Sequence, residues 1–276
     1  MKKDFIKTES AGNDFILFDH TEGESLPNLE KNIIKLCTRK LGIGADGVLI
    51  IENIEKESSA DFRMRIFNPD GGEAEMCGNG ARCAAYWFFL KTGKSKLKFQ
   101  TLGGMISASV SSSGRVRLGM PSPQGTELDI LLNLGKDQLS MSFINTGVPH
   151  AVIETDRLEQ VDVDSLGRKI RNHPHFSPAG TNVDFVQVTG KNSVSVRTYE
   201  RGVEEETLAC GTGSVASVLI KALKGKVSSP VTVKTRGGAL LKVYFKLSDA
   251  EDLISRLYDV KLEGKVNIVF SGSIDL

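Results

Sequence analysis

The sequence predicts an α/β chain of the α+β kind, built as two pseudo-symmetric domains, and three observations carry that expectation. A CGNG segment at Cys77–Gly80 and a CGTG segment at Cys210–Gly213 each open an apolar run, ARCAAYWFFL in one and SVASVLIKAL in the other. The likeness extends on both sides: the alternating runs FRMRIFN and SVSVRTYE end at Asn68 and Glu200, nine and ten residues before their cysteines. Thr101-Leu-Gly-Gly104 and Thr235-Arg-Gly-Gly238 follow 24 and 25 residues after them. A unit that recurs at this length is one supersecondary block used twice, here strand, turn, cysteine, helix, strand, Gly-Gly, strand.

Taken in order, strands are expected at Phe15–Phe18, Val48–Ile51, Phe62–Phe67, Leu97–Thr101, Ile106–Val110, Val183–Val188, Val194–Tyr199, Val231–Thr235 and Leu240–Phe245. They are short, and several alternate in polarity with a period of two. Helices are expected at Leu29–Leu41, stopped by Gly42, at Asn79–Lys91, stopped near Gly93, and at Thr212–Lys224, stopped near Gly225. The last two are apolar over most of their circumference, which predicts helices enclosed by sheet rather than laid on one face. Gly119-Met-Pro-Ser-Pro123 interrupts both periodicities and reads as the passage between domains. The tail Val266–Ile274 reads as a strand that returns to the first domain, so the expected domains are residues 1–120 with about 265–276, and 121–264. A weaker echo links AGNDFILF at Ala11–Phe18 with GTNVDFVQV at Gly180–Val188.

Composition bounds the function. The 276 residues are 40% hydrophobic and 25% charged, enough to bury a core, and 35 basic against 34 acidic side chains leave a net charge of +1. That balance argues against nucleic acid or an anionic membrane as partner, so a charged small molecule must be met by local groups. No run approaches the roughly 18 apolar residues of a membrane span, and MKKDFIKTES has no apolar signal core, which points to the cytoplasm. A homodimer is compatible with the sequence, which does not set the oligomeric state. Four cysteines are too few for a secreted scaffold and lack the paired spacings of a zinc site. Cys37 and Cys83 lie inside helices and read as core residues. His20, His173 and His175 default to the surface.

Cys77 and Cys210 stand immediately before a glycine that opens an apolar helix. There the free N–H groups of the first turn and the positive end of the helix dipole favour thiolate. Gly78–Gly80 and Gly211–Gly213 let the backbone approach a ligand and aim N–H donors at a carboxylate. Two matched acid/base groups fit inversion of a stereocentre beside a carboxylate, in which one thiolate removes the α-proton and one thiol returns a proton to the other face. The developing negative charge would be held by the helix N-terminal N–H groups. That scheme needs no cofactor, and the chain has no P-loop, dinucleotide fingerprint or metal cluster. GIGADG at Gly42–Gly47 follows a helix rather than a strand and reads as a turn.

The stretch from Asn68 to Arg82, NPDGGEAEMCGNGAR, resembles the signature of the diaminopimelate epimerase family. SAGNDF, GIGADG, TGVPH at Thr146–His150, GTNVDF and YERGVEEETLACGTG at Tyr199–Gly213 extend the likeness over the length of the chain. The resemblance implies two similar domains, each a mixed, largely antiparallel sheet wrapped around a central helix, with the active site in the cleft between them. It implies cofactor-independent epimerisation of LL- to meso-diaminopimelate by two cysteines, in lysine and peptidoglycan precursor synthesis. Position by position, it implies Cys77 and Cys210 as the catalytic pair, with His150 beside them. The N–H groups of Gly78, Asn79, Gly211 and Thr212 would hold the reacting carboxylate. Asn13, Asn68 and Asn182 would add amide contacts, and Glu200 and Arg201 would meet the ammonium and carboxylate ends, Glu200 also serving the chemistry.

Gly47, Gly72 and Val148 depart from the pattern, standing where members often carry Gln, Ser and Asn. Lost side-chain hydrogen bonds would bear on substrate choice. Two alternatives therefore stand beside the epimerase at this level: a related two-cysteine racemase for another amino acid, and a non-catalytic amino-acid-binding protein with redox-sensing cysteines.

Overall fold

In both halves of the chain an apolar helix preceded by cysteine is embraced by strands. The computed structural model describes residues 2–23, 28–54, 59–250 and 256–276, which fall into two units, Met1–Leu118 with Gly264–Leu276 and Gly119–Glu263. In the first unit, β1 (Lys2–Ser10) and β2 (Asn13–His20) form a hairpin. Helix α1 (Leu29–Cys37) then leads to β3 (Gly47–Glu52), which lies parallel to β2, and β4 (Phe62–Phe67) runs antiparallel beside it. The two-residue β5 (Glu73–Ala74) folds back on the end of β4 and delivers the chain to helix α2 (Gly78–Thr92). The chain continues as β6 (Lys96–Thr101), parallel to β4, then β7 (Gly104–Val110) and β8 (Arg115–Gly119), each antiparallel to its predecessor.

Alternation along the central strands sets what each face covers. Phe15, Leu17, Leu49 and Ile51 point with Phe62 and Phe99 to the α2 side, while Ile16, Phe18, Val48 and Ile50 point with Ile33 and Leu36 to the α1 side. Helix α2 touches β1, β2, β3, β4 and β7, and its first two turns are buried nearly all round. Enclosure of this kind leaves the first half of the helix without a solvent-facing stripe, and its polar residues there, Asn79 and Arg82, are buried too. Full burial of each such Leu, Ile or Phe contributes about 1.5–3 kcal/mol.

The second unit repeats the topology. Strands β9 (Gln124–Leu134) and β10 (Asp137–Asn145) pair antiparallel, β11 (Pro149–Glu154) adds antiparallel to β10, and helix α3 (Val163–Arg171) follows. Strand β12 (Asn182–Gly190) is parallel to β11, and β13 (Ser193–Tyr199) is antiparallel to β12. The short β14 (Glu206–Thr207) folds onto β13 and leads into helix α4 (Gly211–Leu223). Then come β15 (Val231–Lys234), parallel to β13, β16 (Leu240–Leu247) and β17 (Leu257–Lys265). Helix α4 is buried from Gly213 to Ala222 and touches β10, β11, β12, β13, β15 and β16. The last strand, β18 (Asn267–Asp275), pairs antiparallel with β1, so the C-terminal tail supplies the outer strand that β9 supplies in the second unit.

Register corrects one expectation. The echo between AGNDFILF and GTNVDFVQV pairs β2 with β12, yet the strand that occupies the place of β2 is β11, and β12 occupies that of β3. The similarity arose because both segments carry an Asn ahead of a buried strand, not from equivalent positions. Helix α1 also ends at Cys37, four residues short of the expected stop: Thr38 is extended and Lys40 has φ 74°, so the chain turns before Gly42. Gly42 is needed for another reason, because a β-carbon there would overlap the Lys35 carbonyl oxygen. Helix α3 was hidden by Gly167 at its centre, where a β-carbon would stand 2.5 Å from that of Tyr199. Its start is nonetheless written in the sequence, since Asp162 caps Ser165 N and Arg168, Lys169 and Arg171 fill the last turn. His20 is buried rather than exposed. Cys37 and Cys83 are core thiols, and burial raises them to about 11 and about 12.

Candidate active site

Cys77 is the residue before α2, extended at φ −139°, and its carbonyl accepts Ala81 N to start the helix. The N–H groups of Gly78, Asn79 and Gly80 therefore have no intrahelical acceptor and point past the helix start. The Asn79 side chain donates to Asn13 Oδ1 (2.5 Å) and accepts from Arg82. Asn13 in turn donates to Asp46 Oδ2 (3.2 Å), which also accepts Asp14 N. Thus the GIGADG turn works as an anchor: Asp46 fixes Asn13, and Asn13 fixes Asn79 at the helix start. Asn68 lies exposed at the end of β4, where its N–H donates to Gly72 O and its carbonyl accepts Gly71 N.

Cys210 holds the same place before α4 but in other company. It is buried, and its sulfur accepts Gly213 N (3.4 Å) and lies 3.5 Å from Thr212 Oγ1. Glu200 is hydrogen-bonded to Cys210 and accepts Thr207 Oγ1 at 2.5 Å. Burial first, and then the Glu200 and Asp184 carboxylates, push the Cys210 thiol well above its ordinary value. This overturns the thiolate expected there from the helix dipole: desolvation and two nearby negative charges outweigh a half-charge at the helix end. Burial also raises Glu200, with Asp184 adding to the shift. Asn182 Oδ1 accepts Arg201 N (2.9 Å), its Nδ2 donates to Pro149 O, and the Arg201 guanidinium donates to Ala179 O. His150 is fully buried, with Nδ1 2.7 Å from Asp184 Oδ2, while Thr198 donates to the other carboxylate oxygen at 2.7 Å.

Pairing registers make the comparison of the two sites residue by residue. Leu49 opposes Ile66 as Asp184 opposes Thr198, and Phe67 opposes Glu73 as Tyr199 opposes Glu206. Beneath the third helical residue the first unit places Phe15, Leu49 and Ile66, whereas the second places Asp184 and Thr198, with His150 bonded to Asp184. One position is an apolar plug in one unit and a buried polar cluster in the other.

The contrast makes a prediction. A β-carbon on Gly213 would stand 2.1 Å from Asp184 Oδ1 and 3.1 Å from Thr198 Oγ1, atoms pinned by their own hydrogen bonds. On Gly80 it would meet the Leu49 and Ile66 methyls at 3.0 and 3.1 Å, and these can yield. Gly213→Ala is expected to cost at least ~3 kcal/mol of stability and Gly80→Ala ~1 kcal/mol or less. Equilibrium denaturant unfolding of the two proteins decides it, and equal losses would remove the argument.

Several groups at the site escaped sequence reasoning. Arg65 binds Glu73 through two hydrogen bonds of 2.8 and 2.7 Å, and Arg197 binds Glu206 likewise at 2.6 and 2.7 Å. Each pair straps the two-residue strand ahead of a cysteine to the strand behind it, so bidentate geometry fixes where each cysteine emerges. The signal was present, an Arg eight or nine residues before a Glu in both copies of the repeat. Asp184 and Thr207 carried none beyond their place in the repeat.

The family model described as diaminopimelate epimerase matches residues 5–124 and 142–250. A diaminopimelate epimerase of Aquifex aeolicus is 42% identical over 98% of this chain and 97% of its own, and one of Chlorobaculum tepidum is 41% identical over 96% and 99%. The chain belongs to the diaminopimelate epimerase family. Among solved structures, a phenazine biosynthesis protein of the PhzF family from Bacillus anthracis matches the fold with a TM-score of 0.71 at 15% identity, each chain covered in full. A hydroxyproline epimerase from Agrobacterium vitis, solved with trans-4-hydroxy-L-proline, gives 0.69 at 16% identity, covering 99% of this chain and 91% of its own. Within the family, Gly47 has a local cause here: a β-carbon would stand 2.7 Å from the Phe67 carbonyl oxygen, so this backbone admits no side chain at that position.

Proposed function

We propose that this chain is an isomerase that epimerises LL-diaminopimelate to meso-diaminopimelate without a cofactor, by a two-base mechanism of Cys77 and Cys210, in lysine and peptidoglycan precursor synthesis in the cytoplasm. The observation that carries the reading is the pair of thiols at the starts of two equivalent helices, in a chain of this family, with unlike surroundings.

The chemistry follows from those surroundings. One thiolate takes the α-proton, the N–H groups of Gly78, Asn79, Gly211 and Thr212 hold the carboxylate as it gains negative charge, and the other thiol returns a proton to the opposite face. Burial and carboxylate neighbours keep Cys210 protonated, which suits the donor. Glu200, bonded to that thiol and steadied by Thr207, can accept charge reorganisation as the proton leaves. In the reverse direction the roles exchange. His150, hydrogen-bonded to Asp184 at the floor of the Cys210 site, serves the catalytic pair from beneath Gly213. Asn13, Asn68, Asn182 and Arg201 contribute the polar contacts to the two amino-acid ends.

Incubation in D2O tests the reading. LL-diaminopimelate should gain deuterium at one α-carbon while optical rotation drifts to the meso mixture, with proline and hydroxyproline unchanged. Exchange confined to another amino acid would make the chain a racemase of different specificity, and no exchange with any amino acid under reducing conditions would remove the enzymatic reading.

A further inference from the structure

The two helix starts differ most in what lies one turn inside them. At the fifth residue after the cysteine, α4 carries Val215 and α2 carries Arg82. Arg82 has no exposed surface, which is costly for a cation that would otherwise be solvated. Both of its hydrogen bonds go to neutral oxygens: Nε donates to Ser10 Oγ at 3.0 Å, and one terminal nitrogen donates to Asn79 Oδ1. The other terminal nitrogen, Nη1, is buried without a hydrogen-bond partner and lies 3.9 Å from where a β-carbon on Gly78 would stand. A fully buried guanidinium therefore keeps one terminal NH2 group unspent beside the residue that follows Cys77.

We infer that Arg82 is a positioning residue for the proposed epimerisation, a buried cation whose charge, delivered at Gly78, holds Cys77 as the thiolate. The groups that face it are few. Glu9 on β1, Cys83 of α2 and Cys77 just before it are those whose charge it feels, and Cys83 stays a thiol because burial raises it to about 12. The ion cluster of Lys7, Asp14, Arg39 and Asp46 is linked to the helix start through the neutral Asn13–Asn79 bridge. Of these groups the Cys77 sulfur is the one that stands at the helix mouth, next to Gly78, and ionising it offsets the cost of burying the guanidinium. At the matching position of the second unit stands the neutral Val215, and burial together with Glu200 and Asp184 favours the opposite protonation of Cys210. Asymmetric electrostatics on a repeated backbone supplies one base and one acid before substrate arrives.

This inference rests on the two-cysteine reading, and its test is chosen to be independent of turnover. The alkylation rate of Cys77 by iodoacetamide is followed against pH by peptide mass mapping in the unaltered protein, Arg82→Met, Arg82→Gln and Arg82→Lys. In the neutral variants the midpoint for Cys77 should rise by about one pH unit or more, a tenfold slower reaction below it. Arg82→Lys should recover most of that, and the Cys210 profile should stay in place. A Cys77 midpoint that does not move in a folded neutral variant overturns the inference. Should neither neutral variant fold, the thiolate absorbance near 240 nm of the unaltered protein minus that of Cys77→Ser answers the question. Titration of Cys77 at or above about 8.5, the ordinary thiol value, overturns it, and titration below supports it. Loss of the Arg82 effect with deuterium exchange intact would leave the epimerase reading standing.

Discussion

Alanine at either Cys77 or Cys210 is expected to lower α-proton exchange and epimerisation by ~10³-fold or more while leaving the fold unchanged. General acid/base groups contribute about 10²–10⁴-fold each, and removing one member of a relay that needs both strands the other. The two variants should not be equivalent in other respects. Cys210→Ala removes a buried thiol that accepts Gly213 N and touches Glu200, so the Glu200 carboxyl loses a partner. Cys77→Ala removes a half-buried side chain that makes no capping bond to α2. Activity loss should therefore be similar for the two and stability loss larger for Cys210→Ala. Deuterium incorporation from D2O and denaturant midpoints measure the two effects separately. Full exchange by both variants would end the two-base mechanism.

Glu200→Gln should do two opposite things, lowering kcat by ~10²-fold or more and raising stability at neutral pH. Burial holds the Glu200 carboxyl above its ordinary value, so the folded state binds its proton more tightly than the unfolded state. Below the ordinary carboxyl value both states are protonated and the residue costs nothing. As pH rises the unfolded chain ionises first, and folding stability falls until the folded value is passed; above it the whole cost is present. Glutamine keeps a polar partner for Thr207 without the charge. The gain should be about 1.4 kcal/mol for each unit by which the folded value is raised, seen at pH 7 and vanishing toward pH 4. Melting curves of the variant and the parent at the two pH values provide the check. A variant less stable at pH 7 would show that Glu200 is not strained by burial, and one with unreduced kcat that it is not engaged in the reaction. Enzymes commonly sustain such a cost at the site where charge is needed.

How much of this was legible in the sequence depends on the kind of residue. Strands Phe62–Phe67 and Lys96–Thr101 and the helices that follow Cys77 and Cys210 were plain because alternation and apolar runs are local signals. Strands β9, β10 and β17 were not, since exposed positions dilute their pattern, and β5 and β14 are too short to have one. The cysteines and the glycines beside them stood out because duplication marked them. Asp184 and Arg82 did not, because each is defined by what it faces: Asp184 by His150, Thr198 and Gly213, and Arg82 by Ser10, Asn79 and Gly78. Such partners lie up to 72 residues away in the chain, beyond any local pattern.

By itself the sequence determined the repeat, the reactive residue types and the family, because each is a matter of which side chains stand at which spacing. Tertiary structure alone decided how the two copies differ. A shared backbone places Leu49 and Asp184, or Arg82 and Val215, at equivalent points, and only there do burial and neighbouring charge act on the thiols. Helix geometry would treat Cys77 and Cys210 alike, whereas desolvation and Coulomb interactions, which depend on distance through space, do not.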